Sequence, residues 1–161
     1  MRIWVDADAC PNAIKEVLFR AAERVQVRTI LVANQFVRTP PSRVVESLQV
    51  AAGFDVADHT IVERMASGDL VITGDVPLAA EVVAKGGAAL NPRGKMYTRE
   101  NVRDYLQRRD MMDELRSVGA VSGGPSALGK KDVQHFANAL DRYLAKHHAQ
   151  PRSNKAVPGS P

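Results

Sequence analysis

The chain has one cysteine, Cys10, among 161 residues. A single thiol excludes a disulfide framework and any zinc site built on cysteines. No apolar run approaches the roughly 18 residues that a membrane span needs, so no membrane segment is expected. Aromatic residues amount to 5%. Trp4 and Phe136 stand among apolar neighbours and read as core, so the stacking platforms of single-strand binders are not evident. There is no signal-peptide pattern, because the chain starts directly with the strand-like Ile3-Trp4-Val5. The expected address is the cytoplasm. Internal repeats are lacking as well. The glycine-rich stretch 119–129 is not a phosphate-cradling loop, since its Gly-Lys-Lys follows no strand.

What is present is ordinary for a soluble globular chain: 45% apolar and 25% charged residues. The length is that of one domain able to bury a full core without staples. The net charge of +4 permits a polyanionic partner without establishing one. Half of it belongs to the end of the chain. Residues 149–161 read AQPRSNKAVPGSP, too poor in large apolar side chains to offset their ordering entropy. This predicts a disordered tail after a folded body of residues 1–148. Without the tail, 20 basic residues stand against 18 acidic ones.

The body alternates strand and helix signals. Strands are expected at Ile3–Val5, Thr29–Ala33, Leu70–Thr73 and Ala88–Leu90. Helices are expected after Pro11, after Ser42 with Val44, Val45 and Leu48 on its apolar side, from His59 to Ala66 behind an Asp58 cap, after Pro77, and from Thr98 onward. A last helix carries Val133, Phe136, Leu140 and Leu144 on one face. A brief strand is placed near Val50. Continuously apolar strands between amphipathic helices predict a three-layer α/β/α sandwich with a mostly parallel central sheet.

In such sheets ligands bind beyond the carboxyl ends of the strands. Asp6 ends the first strand and Asp8 follows it. Asp75 follows the Leu70 strand, and Asp58 opens the helix before it. Clustered carboxylates repel one another unless a cation neutralises them, and hard oxygen donors suit magnesium or manganese. Two such ions about 4 Å apart can drive phosphodiester cleavage. Bland readings exist for each acid. Asp58 and Asp75 sit where helix N-caps belong, an Asx turn would account for Asp8, and Asp69 reads as a turn residue. Asp55 is a turn acid or an outer ligand.

The opening Ile3-Trp4-Val5-Asp6-Ala7-Asp8-Ala9-Cys10-Pro11 resembles the YaiI/YqxD family of bacterial proteins. So do Val32-Ala33-Asn34-Gln35, Pro40-Pro41-Ser42-Arg43, the run Gly68 to Asp75, and Leu90-Asn91-Pro92-Arg93-Gly94. The motifs run in order through nearly the whole body. The resemblance implies a PIN-like fold, and with it a nuclease site of the kind found in metal-dependent ribonucleases. On that pattern Asp6 matches the acid ending strand one, Asp58 the acid opening a later helix, and Asp75 the acid of a Thr-x-Asp turn. Asp8 would be an added neighbour. The early-helix glutamate of that pattern has no clear counterpart, because Glu16 and Glu46 both qualify.

Basic loops are expected at the same rim. Arg38 and Arg43 flank the double proline, and Arg93 and Lys95 follow the Ala88–Leu90 strand. These, with Asn34 and Gln35, could hold a nucleic-acid backbone or base, although a solvated loop or an Arg43–Glu46 pair would explain them equally. The leading expectation is therefore a magnesium- or manganese-dependent phosphodiesterase acting on RNA, with Asp6, Asp8, Asp58 and Asp75 as metal ligands and Asp6 and Asp75 as catalytic residues. Two alternatives remain open. One is a phosphatase with Asp6 as nucleophile and Asp8 as acid. The other is a PIN-like module that binds RNA or protein without cleaving. Cys10, beside acids that disfavour a thiolate, is expected to pack.

Overall fold

A computed structural model describes residues 1–119 and 127–148. Residues 120–126 of the glycine-rich stretch and the expected tail, 149–161, lie outside them. The described residues form six strands and five helices. In order these are β1 (Ile3–Asp6), α1 (Asn12–Val25), β2 (Thr29–Ala33), β3 (Val45–Gln49), α2 (Val56–Arg64), β4 (Leu70–Ile72), α3 (Val76–Ala84), β5 (Ala88–Leu90), β6 (Met96–Tyr97), α4 (Val102–Ser117) and α5 (Lys130–His147). The strands make one sheet in the order β3-β2-β1-β4-β5-β6. Every pairing is parallel except the β5–β6 hairpin.

Side chains alternate across a strand, and the two central strands use both faces for core. Ile3 and Val5 pack with Ile14 and Leu18 of α1 and with Phe136 and Leu140 of α5. Trp4 and Val71 point the other way, onto Ile61 of α2 and Leu78 and Val82 of α3. The result is a three-layer α/β/α sandwich. Helix α4 lies outside α3, through Val102 and Tyr105, and has no buried residue of its own. Among the described residues no helix is long and apolar enough to cross a membrane.

Two expected elements differ. The segment after Ser42 is not a helix but β3, paired residue for residue with β2 from Thr29↔Val45 to Ala33↔Gln49. Val44, Val45 and Leu48 imitate a helical stripe, but the exposed Glu46, Ser47 and Gln49 mark an edge strand open to solvent. Ser42 does cap: its hydroxyl accepts from Val44 N–H at 3.0 Å and Val45 N–H at 3.1 Å. That turn feeds an extended chain, and tertiary pairing overrides the local pattern. The second difference is α2, which starts at Val56 rather than His59. Asp55 holds the cap position in a left-handed conformation, φ 63°, so Asp58 lies within the first turn and is not the N-cap.

The β5–β6 hairpin is locked against α5 at Gly94. Its φ is +92°, and a Cβ there would lie 2.6 Å from the carbonyl carbon of His135. Gly94→Ala is expected to cost on the order of 2 kcal/mol from backbone strain and overpacking. A urea midpoint unchanged from wild type would show that the hairpin does not need this approach.

Candidate active site

The sheet order reverses between β1 and β4: β1 is followed by α1 on one face and β4 by α3 on the other. That switch point opens a crevice at the carboxyl ends of the strands, and the acids collect there. Asp6 is the last residue of β1. Asp75 caps α3, its Oδ1 accepting from Leu78 N–H at 3.0 Å. Thr73 ties the two strand ends together. Its hydroxyl donates to Asp6 Oδ2 at 2.9 Å and accepts from Asp75 N–H at 2.9 Å. The sequence placed Thr73 at the end of the expected strand, and the structure places it one residue past β4 and two before an acid, where its hydroxyl forms an ST turn.

Asp58 reaches the same crevice from the first turn of α2. Burial, then the charges of Asp75, Asp6 and Asp55, and a hydrogen bond with Asp75 push its carboxyl up to about 7. Asp6 is also raised. Burial is the main cause, the Thr73 hydroxyl opposes it, and the charges of Asp75 and Asp8 add to it. The three carboxylates thus share one electrostatic neighbourhood. Asp8 contributes charge but is turned aside: it is exposed, and its Oδ2 accepts from Asn34 N–H at 2.8 Å. Among the described residues, no three His, Cys, Asp or Glu side chains stand as a ready ion cage. Asp58 and Asp75 interact directly within the cluster instead.

This arrangement fixes a sign. Asp58 is bound more tightly to its proton in the folded protein than in the unfolded chain, where a carboxyl titrates near 3.9. Its contribution to stability is therefore complete below about pH 4 and is lost as pH rises through about 7. In chelator, Asp58→Asn is expected to remove that decline. The expected gain is on the order of 1–2 kcal/mol at pH 8, the full shift being trimmed by solvent screening at this partly open rim. Melting temperatures of the two proteins from pH 4 to 8 should converge at the acid end. Parallel curves would refute the shared-proton arrangement.

The basic residues divide. Lys95 and Asn34 are exposed in loops at the acid rim, as expected. Arg93 is at the rim too, but its guanidinium donates to Asp132 at 2.8 Å and braces the hairpin against α5. Arg43 is at the opposite edge. Because the following segment is a parallel strand, Val44 lies beside the start of β2, with Thr29 N–H donating to its carbonyl at 2.7 Å. Glu46 pairs with Arg28 at 2.8 Å, not with Arg43. Cys10 is buried, and its thiol is pushed up to about 12 by that burial, so it packs as expected.

Groups not singled out by the sequence also reach this rim. Phe36, 75% exposed, and Phe54, 93% exposed, stand in the loops that follow β2 and β3. Phe36 borders a cleft of about 1040 Å³ that runs from Asp8 along α1 past Lys15 and Arg38. Beside Val76, the residue after Asp75, a recess of about 290 Å³ is lined by Tyr105, Arg108, Arg109 and Arg116. The guanidinium of Arg108 lies 4.6 Å from the Tyr105 ring centre. Composition alone could not flag these residues, because only the fold aligns α4 with the start of α3.

Residues 4–146 match the family model described as "Uncharacterized BCR, YaiI/YqxD family". The chain belongs to that family. It is 63% identical to a UPF0178 protein of Halorhodospira halophila over 150 residues, covering 93% of this chain and 99% of that one. A UPF0178 protein of Pectobacterium carotovorum is 61% identical over 144 residues, 89% of this chain and 96% of its own. One from Janthinobacterium is 59% identical over 150 residues, 93% and 99% respectively. In this YaiI/YqxD chain the match takes in every acid of the crevice.

Proposed function

We propose that this YaiI/YqxD chain is a divalent-metal-dependent nuclease that hydrolyses phosphodiester bonds of RNA in the cytoplasm. One observation carries the reading: three carboxylates from separate segments, Asp6, Asp58 and Asp75, meet at the switch-point crevice within reach of one another's charge, with Asp6 and Asp58 raised by burial and by that charge. The resemblance of these strand-end acids to those of PIN-like ribonucleases supports it.

The donor set fits magnesium or manganese by chemistry, being all carboxylate oxygen. Asp6, Asp58 and Asp75 would hold the ion, with Asp8 as an outer charge, once the Asp58–Asp75 hydrogen bond opens. A bound ion would supply an activated water and neutralise charge at the leaving oxygen. Thr73 orients Asp6 through its hydroxyl. Asp58 would have to be deprotonated to serve as a ligand. Arg108, on the turn of α4 beside the start of α3, would hold a neighbouring phosphate. Phe36 and Phe54 offer flat faces to unpaired bases, and Lys95 and Asn34 are in position to contact the strand.

Calorimetric titration of manganese at pH 8, followed by incubation with a short oligoribonucleotide, tests the reading. Saturable ion binding and cleavage are expected. If neither occurs, the nuclease is excluded; RNA binding without turnover in any divalent metal would leave only a binding module.

A further inference from the structure

A second concavity lies at the opposite edge of the sheet. It measures about 1150 Å³ and sits among the amino ends of β4 and β5, the β6–α4 connection and the last turns of α5. At about 3.3 Å per residue, the path from Asp69 to Asp75 puts it roughly 20 Å from the acid crevice. Four cationic side chains line it: Arg2, Arg99, Arg142 and Lys146. Asp69 is the one acid among its lining residues, and that carboxylate is occupied. It accepts from Arg2 N–H at 2.9 Å, Trp4 Nε1–H at 3.1 Å and Ala66 N–H at 2.9 Å, and pairs with the Arg2 guanidinium at 3.5 Å.

Arg99, Arg142 and Lys146 have no ion-pair partner among the described residues. Residues 120–126 and 149–161 contain no aspartate or glutamate, so no undescribed acidic side chain balances them. Cations at a helix carboxyl end complement its dipole, which is worth about 0.3–1 kcal/mol. That accounts for Lys146 in the last turn of α5. It does not account for Arg142, a turn earlier, or for Arg99 on another segment.

The lining also includes a flat surface. Tyr143 and His147 stack at 4.3 Å with their planes 30° apart, one residue along α5 from Arg142 and Lys146. Residues four apart share a helix face, so α5 presents a cationic stripe beside an aromatic one. We propose that this groove binds a phosphorylated nucleotide. The phosphate lies against Arg142, Lys146 and Arg99, and the base lies against the Tyr143–His147 face. A free nucleotide and a nucleotide within a strand offer the same chemistry. The proposal does not depend on metal chemistry at the other edge, and either reading can fail alone.

The test is binding in chelator, where cleavage is silent, with three probes: adenosine monophosphate, inorganic phosphate and a labelled oligoribonucleotide. Wild type is expected to bind the nucleotide more tightly than phosphate. Arg142→Glu with Lys146→Glu should weaken nucleotide binding about tenfold or more. Tyr143→Ala should weaken the nucleotide and leave phosphate unchanged. Unaltered melting curves identify variants that fold. An oligoribonucleotide bound no more tightly than the mononucleotide assigns the groove to the free ligand; much tighter binding, lost in the same variants, assigns it to a strand. Failure of all three probes at millimolar concentration, or equal affinities in wild type and the charge-reversed variant, overturns the proposal.

Discussion

Asp75→Asn is expected to abolish manganese binding and to lower RNA cleavage by at least about a hundredfold, while the protein melts within about 0.5 kcal/mol of wild type. The separation is possible because the N-cap of α3 and the proposed ion site make different chemical demands on Asp75. As the N-cap of α3 it needs an oxygen that accepts from Leu78 N–H, and asparagine supplies one equally well. As a member of the acid cluster it needs negative charge beside Asp6 and Asp58, which asparagine lacks. Asp75→Ala should lose both, with about 1 kcal/mol of stability going with the cap. Calorimetry, a cleavage assay and a denaturation curve on the two variants separate the roles. Were Asp75→Asn to bind manganese and cleave as wild type does, Asp75 would be a cap and nothing more.

The second large effect is on stability and lies at the other end of β4. Asp69→Ala is expected to cost about 3 kcal/mol, a substantial part of the 5–15 kcal/mol typical of a domain. Asp69 is 3% exposed. Removing it strands the Trp4 indole N–H and the Ala66 and Arg2 amides, and it releases the Arg2 guanidinium from its ion pair. Burial pushes this carboxyl up, but the hydrogen bonds from Ala66, Trp4 and Arg2 and the Arg2 charge outweigh it and hold the group below the usual range. A carboxyl lowered by folding contributes stability that is present above about pH 4 and lost as pH falls through the folded value. Wild type should therefore lose more stability than Asp69→Ala on acidification. Urea midpoints at pH 7 and pH 3 measure both effects. A loss under 1 kcal/mol at pH 7 would show that water replaces the carboxylate.

Asp69 also shows how far a sequence reading carries. As a turn residue it was half legible: its amide does close a turn onto the Ala66 carbonyl at 3.0 Å. Its bonds to Trp4 and Arg2 span more than sixty residues and were invisible to local pattern. Asp58 behaves in the same way. Its place near a helix start could be read from the chain, but its elevated pKa comes from burial first and then from the charges of Asp75 and Asp6, and the fold alone sets both. Arg43 was misplaced because one segment changed type. A strand at Val45–Gln49 turns the preceding loop from the acid rim to the far edge, and a helix there would have kept it near.

The sequence by itself determined the alternation of buried strands with amphipathic helices, the parallel sandwich, and the ends of β1 and β4 as the place to look for chemistry. These follow from periodicity and from acids set directly after apolar runs, which are local properties of the chain. Tertiary structure alone decided which charges meet. It joined Asp58 to Asp75, turned Asp8 toward Asn34, tied Arg93 to Asp132, set the α4 arginines beside Val76 at the start of α3, and gathered Arg99, Arg142 and Lys146 at the opposite edge. Electrostatic neighbourhoods depend on distance in space, and strand order together with helix side sets that distance.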